Sequence, residues 1–185
     1  MLNRRFLFRL SLVPGCLLLL GHAPWGQWQV YRQRHMLFLS TREDKPSYPF
    51  SKTLVSIIEL YLPEASPKPA RAKDYRTVHG LLSTDQMPVA VLSKNVARSL
   101  ILGEKEFENY APVEMKLLYD FGDIVLITRP QMPEDHAWRI VDAILRSNSF
   151  KLFDYKNDLS IDIHNGALKS LKGESIPEEI KLRAF

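Results

Sequence analysis

Pro88-Val89-Ala90-Val91-Leu92-Ser93 decides the fold. A proline opens a continuous apolar run of four residues, the pattern of a strand buried on both faces within a parallel sheet. After it, Ser93 to Leu102 reads as a helix that stops at Gly103, a residue suited to the left-handed turn that ends helices. Before it, a helix over Tyr75 to Ser83 turns Val78, Leu81 and Leu82 inward.

Moving outward, Met36-Leu37-Phe38-Leu39 forms a second buried strand that ends at Ser40-Thr41. A polar loop, Arg42 to Ser47, leads to a helix from about Phe50 to Leu62. Leu54, Ile57, Ile58, Tyr61 and Leu62 recur there at helical spacing, and Pro63 stops the helix. Pro67 to Ala72 fits only an edge strand, because its prolines cannot donate to a ladder. Downstream, Met115 to Tyr119 and Ile124 to Thr128 read as strands. Asp120-Phe121-Gly122-Asp123 between them is either a turn or a change of domain path. Pro133 and Glu134 then open a helix over Asp135 to Arg146, with Ala137, Ile140, Val141, Ile144 and Leu145 on one face. Alternating strands and helices predict an α/β domain over residues 35–173 with a mainly parallel sheet flanked by helices. Residues 174–185, charged and carrying Pro177, read as a tail.

The whole chain has 185 residues, room for one domain and a short appendage. Cys16 is its single cysteine, which excludes an internal disulfide and a multi-cysteine zinc cage. The net charge of +4 resides at the front, where residues 1–35 hold five arginines and no carboxylate, so residues 36–185 sum to −1. A duplex binder needs a basic face on its folded part, so nucleic acid is not an expected partner. His22, His35, His79, His136 and His164 show no metal-ligand spacing. Nucleophile-elbow and phosphate-loop motifs are absent, and no cofactor is implied. An enzyme is the least supported class.

Residues 1–34 read as a signal sequence or membrane anchor, with an N-terminal hydrophobic helix. Asn3-Arg4-Arg5-Phe6-Leu7-Phe8 resembles a twin-arginine signal. The apolar run Leu10 to Gly21 is short for a span, but residues 6–31 reach that length, with Trp25, Trp28 and Tyr31 suited to an interface. Gly21-His22-Ala23 offers small residues for cleavage, with Pro24 awkwardly placed after the cut. Either way the body is expected on the extracytoplasmic, periplasmic side.

Several segments together resemble a known family. Met36 to Thr41 followed by Ser47-Tyr48-Pro49-Phe50, then Leu81 to Ser93, the helix Pro133 to Leu145, and Ile163-His164-Asn165-Gly166-Ala167-Leu168 are similar, in this order, to the TAXI family of solute-binding proteins from TRAP transporters. The resemblance implies a periplasmic-binding-protein-like fold of type II that captures a small anionic solute, an organic acid or amino acid, for a membrane permease. Family members have two lobes and are longer, so this chain looks like a single lobe. Its loop Arg42-Glu43-Asp44-Lys45-Pro46 carries charges where the family prefers glycines.

Open α/β sheets place ligands beyond the carboxyl ends of their strands. That rule selects Thr41, Arg42, Ser47 and Tyr48 after the first strand, and Ser93 and Asn95 after the Val89 strand. Free N–H groups at the first helix start and the Arg42 side chain would receive a carboxylate, with Tyr48 covering its apolar part. The plainer reading makes Ser47 and Ser93 helix caps and pairs Arg42 with Glu43 or Asp44. His164 beside Asn165-Gly166 is more readily a turn residue than a ligand. Asp120 and Asp123 are read as paired carboxylates or as an exposed turn. Two functions follow: a solute receptor for TRAP-type transport, or an envelope scaffold that uses the lobe to bind another envelope protein or form a homodimer.

Overall fold

The structure, a computed structural model, describes residues 31–32, 34–150 and 161–176. The chain divides into two compact units, Met1–Arg34 and His35–Phe185. Apart from Tyr31, the expected membrane segment 6–31 lies outside the described residues, as do the cleavage motifs and Pro177. Among the described residues, no helix is long and apolar enough to cross a membrane.

The second unit is α/β. In chain order its elements are β1 (Leu37–Thr41), α1 (Ser47–Tyr61), β2 (Lys68–Ala72), α2 (Tyr75–Ser83), β3 (Val89–Ser93), α3 (Lys94–Leu102), β4 (Lys116–Asp120), β5 (Ile124–Thr128), α4 (Glu134–Ser147) and α5 (Asn165–Leu171), with short 3-10 turns at Pro63–Ala65 and Lys105–Phe107. The five strands lie in the order β2-β1-β3-β5-β4. Every residue of β1 and β5 is buried, as are Val89 to Leu92 of β3, which accounts for their unbroken apolar runs. Strand β2, with Pro69, lies at the sheet edge, where a missing N–H costs no ladder bond.

The sheet is mixed rather than mainly parallel. Strand β1 pairs in parallel with β2 and β3, whereas β5 is antiparallel to both β3 and β4. The reversal is made at Asp120-Phe121-Gly122-Asp123, which is a turn. The Asp120 carboxylate accepts from the Gly122 N–H at 2.8 Å, Phe121 N–H donates to the Ile124 carbonyl at 2.9 Å, and Gly122 takes φ +99°, a region that favours glycine. Asp120 also pairs with Lys94 at 2.9 Å, so its carboxylate serves the hairpin. Beyond β4, Ile163 adds a single parallel bridge to Leu117.

Helices α1, α4 and α5 pack together on one face, while α2 and α3, joined through Lys105–Phe107, pack on the other. Helix α1 begins three residues before the expected Phe50 and buries Leu54, Val55 and Ile58 together with Ser47 and Ser51. Asp74 caps α2 by accepting from the Thr77 N–H at 2.8 Å, and Gly103 ends α3 at φ +67°.

Candidate functional site

The carboxyl ends of β1 and β3 converge on the loop Arg42 to Pro46, and Asp44 from that loop fills the space between them. Asp44 is only 4% exposed, and its Oδ2 accepts from the Ser93 N–H at 2.6 Å, a short charge-assisted bond. Ser47 donates from both its hydroxyl and its N–H to the Asp44 carbonyl, at 2.8 and 3.1 Å. Ser47 and Ser93 thus meet at Asp44, a residue the sequence presents only as one charge in a polar loop.

The remaining expected contacts are placed differently. Thr41 is buried, and its hydroxyl accepts from the Glu43 N–H at 3.4 Å. Arg42 is exposed, held by its own N–H on the Ala72 carbonyl, and it pairs with neither Glu43 nor Asp44. Glu43 instead accepts the Tyr75 N–H at the start of α2, at 2.8 Å. Asn95 is exposed on the first turn of α3. Tyr48 is half-buried, with the Arg71 guanidinium 4.5 Å and the Lys52 ammonium 5.3 Å from its ring centre. Of the two serines expected as helix caps, Ser93 is the N-cap of α3, without a side-chain bond, whereas Pro46 rather than Ser47 occupies the N-cap of α1.

The start of α1 has little left for an anion. Ser47 N–H donates to Asp44 and Phe50 N–H to Pro46, and Pro49 has no N–H. Tyr75 beside this loop is pushed up to about 12, first by burial and then by the negative charges of Asp44, Glu106 and Glu43.

A concavity of about 310 Å³ opens at the opposite end of the sheet. Lys116, Met132, Glu134, Asp162, His164 and Asn165 contribute to its wall. Lys116 pairs with Asp162 at 2.8 Å, and Glu134 with Lys169 at 2.6 Å. The His164 ring spans Met132 and Gly166. Its Nε2 lies 3.0 Å from the Met132 carbonyl, and Nδ1 accepts from the Gly166 N–H at 3.2 Å, so Nε2 carries the proton and the ring caps α5. Burial pushes the His164 pKa below its ordinary value, which favours this neutral form. The charged groups on this wall are committed within the chain. Among the described residues, no group of three or more His, Cys, Asp or Glu is placed to hold a metal ion.

Sequence reasoning missed both Asp44 and the capping role of His164. An acidic residue three positions before a serine that opens a helix was the available signal for the first, and Asn165-Gly166 after a histidine for the second. Comparison with protein-family models and with curated proteins finds no match to this chain.

Proposed function

We propose that this protein is an extracytoplasmic, binding-protein-like module of the cell envelope that acts through protein–protein contact, carried on an N-terminal signal or anchor. In this reading it is a one-lobe relative of TAXI-type receptors that has stopped capturing solute for a TRAP permease. The observation that carries it is the Asp44 carboxylate on the Ser93 N–H, which sets the chain's own anion between the strand ends where a solute was expected. Space that a solute's acidic group would need is taken by a side chain of the protein itself.

A thermal-shift series on the full chain with organic acids and amino acids tests this. A ligand at ~100 times its dissociation constant adds ~2.7 kcal/mol, a shift of several degrees. The expected result is no shift for the native chain and an acetate- or formate-dependent gain for Asp44→Gly. A reproducible shift of the native chain with one class of acid overturns the reading and restores the solute receptor.

A further inference from the structure

Unpaired charge is unevenly distributed over the second unit. Lys68, Lys94, Lys116, Arg129, Arg139, Arg146 and Lys169 each lie in an ion pair. Arg42, Lys45, Lys52, Arg71, Lys73 and Arg76 are exposed, and none forms an ion pair among the described residues. These six belong to neighbouring segments, because parallel pairing sets Thr41 opposite Ala72 and Arg42 N–H donates to the Ala72 carbonyl. Against Glu43, Asp44 and Asp74 they leave this end at +3. Glu43 and Asp74 are engaged by backbone N–H groups of α2, and Asp44 is buried.

The opposite sign lies beside it. Glu104, Glu106, Glu108 and Glu114 are exposed and free of ion pairs among the described residues, and with Lys105 they sum to −3. This segment is fixed against α2 by Phe107 under Tyr75, with ring centres 5.6 Å apart, and by His79 Nε2 at 2.9 Å from the Ala111 carbonyl. Leu102, a large side chain left 53% exposed, lies two residues before Glu104.

We infer that these two segments form a self-complementary surface for a second copy of this chain, the basic end of each copy meeting the acidic segment of the other about a two-fold axis. The inference rests on the protein-contact reading above and names its partner. A two-fold interface brings each patch to its complement twice, so adjacent patches of equal and opposite charge are both matched in a closed pair. A phosphate backbone or anionic bilayer broad enough to cover the basic end would also meet the glutamates. The aromatic group at the basic end, Tyr48, already carries two cations.

Co-purification of differently tagged full chains in a non-ionic detergent tests the inference. Lys45→Glu/Lys73→Glu reverses the basic side and Glu106→Lys/Glu108→Lys the acidic side, and circular dichroism melts verify folding of both. Native chains should capture one another, with capture falling ~tenfold from 0.1 to 1 M salt as the screening length contracts from ~10 to ~3 Å. Each variant should fail to capture itself, and mixing the two should restore capture. Native chains that stay apart, folded variants that self-associate like the native chain, or a mixed pair that does not form overturn the inference. The organic-acid series reads the parent proposal separately, so loss of one is distinguishable from loss of the other.

Discussion

A Cβ on Gly166 would stand 2.0 Å from the Glu134 carbonyl oxygen, so α4 and α5 touch backbone to backbone at their first turns. Lys169 and Glu134 clasp the same contact from outside at 2.6 Å. No side chain fits without parting the helices. Gly166→Ala is therefore expected to destabilise the fold by ~1–3 kcal/mol or more, the scale of overpacking. A urea titration reads it, and an unchanged midpoint would mean that the helices separate at no cost.

His164 makes stability depend on pH. Its native pKa lies below the ordinary 6.5, because burial opposes the charge. The unfolded chain therefore binds the proton first as pH falls, and stability present above 6.5 is lost as pH descends through the native value. Protonation would also turn Nδ1 from acceptor to donor against the Gly166 N–H. The urea midpoint should fall between pH 7.5 and 5.5, and His164→Asn, which can still accept at the cap, should flatten that slope. An equal slope in both proteins would remove His164 as its source.

Asp44→Ala leaves the half-buried Ser93 N–H without its acceptor, a loss of ~1 kcal/mol or somewhat more. Asp44→Asn keeps a carbonyl oxygen for that N–H and should retain more of the stability. Equal losses from the two variants would show that the charge, rather than the acceptor, matters.

Arg42→Ala should change stability by less than ~0.5 kcal/mol, as expected for an exposed residue with no ion pair among its described neighbours. Thermal melts of the two chains check this. A larger loss would mean that the guanidinium supports the Asp44 loop through a contact absent here.

Most of the sheet was legible because burial on both faces writes itself as apolar runs at Leu37, Val89 and Ile124. The prolines of Pro67 to Ala72 marked the edge, and Gly103 marked the end of α3. Strand direction was not legible at Asp120 to Asp123, because the same four residues serve a hairpin or a crossover, and the choice rests on the long-range pairing of β5 with β3. The candidate site was legible in position and not in content. Strand ends can be located from pattern alone, whereas the route of the Asp44 carboxylate to Ser93 joins residues 49 apart in the chain.

The β4–β5 hairpin has a consequence for chain architecture. Gly122 is exposed, and a side chain there would meet nothing within 4 Å. The flanking strands are registered by Asp120 opposite Val125 and secured by Lys94 on Asp120. A foreign domain whose termini lie close together could be spliced into this turn without breaking a ladder bond, since loop closure grows only slowly with length and exposed tips tolerate insertion. The tip is thus a place where this unit can be lengthened while its core stays in place.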